Sequence, residues 1–336
     1  MEKILTMHQA IEDLRNSPFV KEKYLGDHIS SFNFTRDAFK HNEWNDETIK
    51  ARGLFIDTRY EVVKARSYDK FFAIGERTET KLDYLKREFN YPVDVYIKEN
   101  GYLGICSWSD DGNLFCASKS TTEGPYAQRF REILTETLGD KVQAFNDALR
   151  CEDMTAVFEV IDPENDSHII KYNKPQVIFL DLIWNNFMEG EWDDFGCKSY
   201  EVLEWWAMKY GLPLKRKTCC LNNANEFEKW YEEVTEIDYC YHGEYVEGFV
   251  LRDIDNRMVK VKTDYYNFWK SVRGLVPVIR KGGNINLKWI DTFKHPEIFE
   301  IMVTINKWAK WYYDKYGEDI SVITIRKLWE GVIWSL

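Results

Sequence analysis

Val95-Tyr96-Ile97-Lys98-Glu99-Asn100-Gly101-Tyr102-Leu103-Gly104 joins an apolar, β-rich run to a lysine and then to a polar turn. Val93, Val95 and Ile97 alternate with Asp94, Tyr96 and Lys98, which predicts a strand carrying the lysine on the face opposite the valines. Asn100-Gly101 is a strong turn signal, so Tyr102 to Cys106 is expected to return as the partner strand of a hairpin. Taken alone, a lysine at the mouth of a hairpin also reads as a solvated surface charge.

The chain around this stretch has 336 residues, of which 44% are hydrophobic and 16% aromatic, so it has the means to bury a full core. Length and patterning predict one large domain, residues 1–275, and a smaller helical one, residues 276–336. There is no apolar run of membrane-spanning length, and Met1-Glu2-Lys3-Ile4 does not open a signal peptide, which points to the cytoplasm and away from membranes. The seven cysteines are scattered without a Cys-x-x-Cys pair, as expected of reduced thiols rather than disulfides or a zinc site. A formal charge of -11 excludes a generic nucleic-acid coat, because non-specific binding depends on neutralising phosphates. Basic residues nevertheless gather in Lys64 to Arg87 and Lys260 to Lys281, enough for a local cleft around one phosphate end.

Elsewhere the pattern predicts helices at Ile4–Leu14, Thr80–Phe89, Pro125–Leu138, Lys141–Arg150, Ser199–Tyr210, Asn222–Thr235, Pro296–Trp311 and Ile320–Trp334. Strands are expected at Arg52–Asp57, Glu61–Arg66, Asn113–Lys119, Ala156–Ile161, His168–Tyr172 and Val177–Ile183. The Trp205-Trp206 and Trp230-Tyr231 pairs read as core. The segment Ile29 to Asn45, with Phe32, Phe34, Phe39 and Trp44, shows little periodicity and suggests no task.

Two later strands carry chemistry that ordinary packing does not call for. Glu159 interrupts the apolar run Ala156 to Ile161, and a buried carboxylate must face a cation, a donor or a cleft, the alternative being the wet face of an edge strand. Val259-Lys260-Val261-Lys262-Thr263 puts two lysines at i and i+2 on one strand face, where they repel unless an anion lies between them.

Lys98-Glu99-Asn100-Gly101 resembles the Lys-x-(Asp/Asn/His)-Gly nucleophile motif of the covalent nucleotidyltransferases, the superfamily of ATP-dependent ligases and mRNA-capping enzymes. Upstream, Ala51-Arg52-Gly53-Leu54-Phe55 and Ala65-Arg66-x-Tyr68-Asp69-Lys70-Phe71-Phe72 are similar to a segment of one branch, the RNA ligases of T-even phage type and the fungal tRNA ligases. Ala156 to Ile161 resembles that family's third motif, Glu247-Gly248-Phe249-Val250 its fourth, and Lys260-Val261-Lys262 its fifth, with Tyr266 matching the RNA-ligase pattern. Asn100 departs from the phage aspartate and agrees with the fungal relatives.

The resemblance implies an α+β nucleotidyltransferase domain, ATP-grasp-like, with antiparallel sheets flanking a nucleotide cleft, and a small helical C-terminal domain. It implies Lys98 as the nucleophile, assisted by Lys260 and Lys262, and a nucleotide held by Arg52, Lys70, Lys98, Lys119, Glu159, Lys260 and Lys262. Glu247 is the implied ligand of Mg2+ or Mn2+, since hard cations take oxygen ligands. Lys260, Lys262, Arg52 and a bound magnesium are together expected to depress the Lys98 pKa, because an attacking amine must be unprotonated. The implied reaction is ATP-dependent sealing of RNA 5′-phosphate and 3′-hydroxyl ends, tRNA among them, through lysyl-AMP and AMP-RNA. With no Gly-x4-Gly-Lys-Ser/Thr loop and no paired His-x-Thr/Ser elements, end-healing is expected from separate enzymes. The alternatives are a DNA ligase or capping-type guanylyltransferase, which would lack the Arg52 to Glu76 signature, and an inactive nucleic-acid-binding module.

Overall fold

The computed structural model describes residues 6–165, 168–186, 198–236, 239–280, 296–317 and 321–333. Its strands, in chain order, are β1 (Val20–Gly26), β2 (Ile29–Phe34), β3 (Leu54–Asp57), β4 (Val62–Arg66), β5 (Phe72–Ala73), β6 (Val93–Lys98), β7 (Tyr102–Ser107), β8 (Phe115–Ala117), β9 (Met154–Ile161), β10 (Gln176–Trp184), β11 (Lys217–Leu221), β12 (Gly248–Arg252) and β13 (Met258–Lys262). Among the described residues they form three sheets, ordered β1-β2-β3-β4, β10-β9-β7-β8 and β11-β6-β12-β13-β5. Pairing is antiparallel except for β13 with β5. The fold is therefore the expected α+β arrangement of antiparallel sheets with a helical C-terminal region.

One expectation fails between Val95 and Gly104. β6 and β7 are not a hairpin: β6 pairs with β11 and β12, while β7 pairs with β8 and β9 in another sheet. Asn100-Gly101 is a crossover between two walls. Asn100 Oδ1 accepts from the backbone N–H groups of Ile169 and Ile170 at 2.8 and 3.1 Å, and Gly101 N donates to Glu159 Oε1 on β9 at 2.7 Å. A Cβ at position 101 would collide with the Val160 carbonyl, so only glycine lets the chain meet β9 this closely. Residues 168–172, expected as a strand, are the irregular loop that receives these bonds.

The alternation in β6 survives this change of partner. Val93, Val95 and Ile97 are buried with Phe249, Leu251, Val259 and Val261 against Leu85 and Phe227, which belong to the helices Leu82–Glu88 and Ala224–Val234. The opposite face of β6 is thereby turned toward the second sheet. Behind that sheet, Phe130, Phe145, Phe158, Phe179 and Trp206 form the largest core. Trp206 is buried as expected, whereas its neighbour Trp205 is exposed.

The helices Met7–Asn16, Pro125–Leu138, Val142–Glu152, Tyr200–Tyr210 and Ala224–Val234 fall where the periodicity places them, the first beginning after Ile4, which lies outside the described residues. Helix Asp264–Arg280 was not anticipated, and it runs across the expected boundary at 275/276. Its Tyr265, Phe268, Trp269 and Val272 share a core with Ile169 and Ile170 and with Met302, Ile305, Val322 and Ile325 of the last two helices, Pro296–Tyr316 and Val322–Ile333. Ile320 and Trp334, the expected limits of the final helix, lie outside the described residues, as does Lys281. Arg326, buried, donates to the Ile169 carbonyl and so ties the last helix to the loop that holds Asn100. No helix among the described residues is long and apolar enough to cross a membrane.

Candidate active site

Register across the third sheet assembles the site. Lys98 at the end of β6 lies opposite Gly248 on β12, and Gly248 lies opposite Lys262 at the end of β13. The glycine between them lacks a side chain, and a Cβ there would strike the Val261 carbonyl. Both lysines close on one oxygen: Glu247 Oε1 accepts from Lys98 Nζ at 2.9 Å and from Lys262 Nζ at 2.8 Å. Glu247 Oε2 accepts from Asn100 Nδ2 at 3.0 Å. Three expected site residues from sequence positions far apart thus meet within one hydrogen-bonded group.

One step along the strands, Tyr96, Val250 and Lys260 form the next row on the same face. Lys260 Nζ and Lys70 Nζ donate to the same Phe71 carbonyl oxygen at 3.2 and 3.1 Å. Burial pulls the Lys260 pKa down to about 7, with Lys70 next in pushing the same way, and burial pulls Lys70 to about 8. Two ammonium groups on one neutral oxygen form a place for an anion. Lys119 reaches this region from the turn after β8, its ammonium 4.3 Å from the centre of the Phe34 ring.

The facing wall carries Glu159 on β9 and Arg52 just before β3. They line one pocket with Lys98, Tyr68, Phe71 and Tyr96, and it encloses about 670 Å³ including its open mouth. Arg52 Nη1 donates to Ser67 Oγ at 2.9 Å. Glu159 is pushed above the usual carboxylate range by burial, with the Lys98 ammonium opposing and the Glu247 charge adding to the rise. Tyr266 lies under Lys262, 4.4 Å from ammonium to ring centre, and burial with the Glu247 charge lifts its hydroxyl to about 12.

A profile of the RNA ligase family matches residues 50–266, which contain every one of these groups except Phe34. The chain belongs to that family. Among curated members of the wider group, it is 27% identical over 219 residues to tRNA ligase 1 of Schizosaccharomyces pombe, covering 60% of this chain and 27% of that protein. It is likewise 27% identical over 281 residues to the tRNA ligase of Candida albicans, covering 73% of this chain and 32% of that one. The chain therefore spans roughly a quarter to a third of the length of these relatives. Its fold is similar to that of an archaeal ATP-dependent RNA ligase (TM-score 0.60, 14% identity, 92% of this chain and 80% of that one). It is also similar to that of a putative ATP-dependent DNA ligase from Aquifex aeolicus (TM-score 0.55, 18% identity, 96% and 76%).

In this RNA ligase family member the protein's own charges do not depress the Lys98 pKa. Burial alone would lower its pKa, but the Glu247 and Glu159 carboxylates outweigh burial and hold it above the ordinary lysine value. Glu247 is correspondingly held below the usual carboxylate range: burial opposes, and Lys98 and Lys262 prevail. The cations expected to activate Lys98 are close, but Glu247 is closer.

The donor set also defines what metal it could hold. Among the described residues no group of three or more His, Cys, Asp or Glu is placed to hold an ion. What is present is a buried carboxylate, Glu247, whose charge is felt at a second one, Glu159. A single buried carboxylate such as Glu247 fits a hard divalent cation that would complete its shell with water and phosphate oxygens, and does not fit a metal caged by protein alone.

Sequence reasoning passed over the pocket floor. Asp181 on β10 is fully buried, and its Oδ2 accepts from Tyr68 Oη at 3.0 Å, Lys215 Nζ at 3.0 Å and Arg252 Nη1 at 3.1 Å. Glu99 was passed over too; it accepts from Arg216 Nε at 3.1 Å and Tyr172 Oη at 3.0 Å, which brackets the backbone beside Lys98.

Proposed function

We propose that the chain is an ATP-dependent RNA ligase that joins 5′-phosphate and 3′-hydroxyl ends through an adenylate carried on Lys98. The observation that supports this best is the convergence of Lys98 and Lys262 on Glu247 beside the Lys70–Lys260 pair, with Lys98 also lining the pocket between Tyr96 and Leu103.

The nucleoside of ATP occupies the pocket between Tyr96 and Val250 on one wall and Leu103 and Leu180 on the other, and its phosphates lie along the lysine rows. Lys98 Nζ, once deprotonated, attacks the α-phosphorus; the N–P bond forms as the P–O bond to pyrophosphate breaks, and the lysines neutralise the departing charge. An RNA 5′-phosphate oxygen then displaces the lysine nitrogen, giving a 5′-5′ pyrophosphate-linked AMP-RNA and returning the amine. A 3′-hydroxyl attacks the RNA phosphorus, loses its proton and expels AMP. Glu247 controls the first step, because its charge keeps Lys98 an ammonium and compensation of that charge releases the amine. A magnesium or manganese ion at Glu247, when bound, supplies that compensation and Lewis-acid polarisation of phosphate oxygens.

Incubation with α-labelled ATP and magnesium, followed by denaturing electrophoresis, should leave label on the wild-type protein and none on Lys98→Ala. A blank wild-type lane refutes the proposal. Given the relatives, nicked tRNA anticodon stem-loops are the first sealing substrate to try, beside a single strand and nicked DNA.

A further inference from the structure

The aromatic segment before β3 has no part in the chemistry above, yet it touches that chemistry. β2 ends on Phe34, the short helix Arg36–His41 carries Phe39, and Trp44 precedes the helix Asp46–Lys50. The three rings meet one another, with centroids 5.7 Å apart for Phe34–Phe39, 5.2 Å for Phe34–Trp44 and 5.0 Å for Phe39–Trp44. Trp44 also reaches Phe72 on β5 at 5.2 Å. On this box sit two lysines from separate connections, Lys70 between β4 and β5 and Lys119 after β8. Lys70 Nζ is 3.6 Å from the Phe72 centroid, 5.1 Å from Trp44 and 5.3 Å from Phe39, and Lys119 Nζ is 4.3 Å from Phe34.

The kind of partner matters. Lys98 and Lys262 are held by a carboxylate, which must yield before they can meet an anionic substrate. The Lys70 side chain is 5% exposed, and its nearest carboxylate, on Glu76, is 3.8 Å away. A buried ammonium so loosely paired would tend to neutralise. Ring faces stabilise a cation through their quadrupole and use none of its N–H donors, so the donors stay available for phosphate oxygens. The box also has a definite place. Lys98 and Lys262 mark the reacting phosphorus on β6 and β13, and the box lies past them at the β5 edge, on the side away from β11.

We infer that Phe34, Phe39, Trp44 and Phe72 are positioning residues that hold Lys70 and Lys119 against the departing pyrophosphate half of ATP. The inference rests on the ligase reading and assigns these rings to one of its steps only. Formation of lysyl-AMP needs the pyrophosphate contacts, whereas sealing of an RNA that already carries AMP does not.

Trp44→Leu keeps an apolar side chain and removes the quadrupole, Trp44→Phe restores a ring, and Phe39→Leu alters a half-exposed position. With α-labelled ATP, Trp44→Leu should need about tenfold more ATP for half-maximal Lys98 labelling, within the range of a desolvated cation–π contact. Phe39→Leu should show a smaller rise, and Trp44→Phe should recover most of the loss. Single-turnover sealing of pre-adenylylated RNA should match wild type in all three. In a Lys70→Ala background, Trp44→Leu should add much less than it does alone. Equal loss in both assays would make the box a structural element or an RNA platform and overturn the inference, as would unchanged ATP dependence. A wild-type protein inert in labelling and sealing alike would instead overturn the ligase reading, and this inference with it.

Discussion

Glu247→Gln tests how the resting site is wired, with no nucleotide present. The substitution keeps the shape of the side chain and removes the charge shared by Lys98 and Lys262 at 2.9 and 2.8 Å. At an effective dielectric near 20, unit charges at that separation interact by about 6 kcal/mol. The Lys98 side chain is 22% exposed, so screening reduces this to an effective ~3 kcal/mol, equivalent to ~2 pH units. Lys98, now held above the ordinary lysine value, should fall to or below it, because burial and the Lys262 cation would act unopposed except by Glu159. Trace acetylation across a pH series, read by mass spectrometry on the peptide carrying Lys98, gives the midpoint directly. A midpoint displaced by less than about half a unit in Glu247→Gln would refute the assignment of Glu247 as the group that keeps the nucleophile protonated.

The same pair makes a prediction about stability, with a different pH dependence in the two proteins. A raised lysine pKa contributes stability that is complete below its unfolded value, about 10.4, and is lost only as pH rises through the folded value. A lowered carboxylate pKa contributes above about 4.3 and is lost as pH falls through the folded value. Across neutral pH the wild-type pair therefore contributes a constant amount. In Glu247→Gln, two partly buried cations lack their anion, which should cost about 3 kcal/mol at pH 7. Their depressed pKa values then make stability rise with pH toward the unfolded lysine value. Urea midpoints measured between neutral and alkaline pH should climb in both proteins, because Lys70, Lys260 and Lys262 have depressed pKa values in the wild type already, and should climb more steeply in Glu247→Gln; parallel curves would contradict the pairing.

Nucleotide affinity should carry the mark of the second lysine pair. With Lys260 at about 7 and Lys70 at about 8 in the free protein, binding of a non-hydrolysable ATP analogue must restore their protons, so affinity should fall about tenfold per unit between pH 7 and 8 and about hundredfold per unit above pH 8. Calorimetry in buffers of different ionisation enthalpy would register the proton uptake, and Lys260→Arg should flatten the profile. Arg326→Leu removes the donor that the last helix gives to the Ile169 carbonyl, and should lower stability by about 1–3 kcal/mol and slow Lys98 labelling. Chemical denaturation and the labelling rate check both, and an unchanged labelling rate would confine the last helix to a structural role.

What the sequence disclosed was local. Alternation in Val93 to Lys98 assigns the lysine to its face whichever strand lies beside it, and the i, i+2 lysines of β13 share a face for the same reason. Partner strands are another matter. β6 lies between β11 and β12, both more than a hundred residues further along the chain, and the Asn-Gly signal concerned only the next strand. Asp181 shows a different kind of miss. It interrupts an apolar run, Phe179-Leu180-Asp181-Leu182-Ile183, as Glu159 interrupts Val157 to Ile161, and a buried carboxylate demands a cation in both. The signal was present; its partners, Lys215 and Arg252, gave none of their own. The charge state of Lys98 was illegible for a physical reason, since it depends on which of several nearby charges comes within 3 Å.

The crossover at Asn100-Gly101 explains the spacing of Lys98, Asn100 and Gly101. In a hairpin, Lys98 and Tyr102 would belong to one wall, and the cleft opposite would have to be positioned by other parts of the chain. As built, Lys98 ends one wall and Gly101 touches the other, so three residues span the cleft floor. Asn100 locks that span from both ends of its amide, donating to Glu247 on the lysine side and accepting from Ile169 and Ile170 on the loop that the last helix grips. An aspartate at this position keeps the acceptor for the loop but loses the donor to Glu247, and places a carboxylate against a carboxylate. Asparagine is thus matched to a site whose neighbouring glutamate stays ionised to hold Lys98. Asn100→Asp should raise the apparent pKa of Glu247, which would then titrate jointly with the carboxylate introduced beside it. Lys98 acetylation as a function of pH would record the change, and a titration identical to wild type would show that the amide donor plays no part in keeping Glu247 charged.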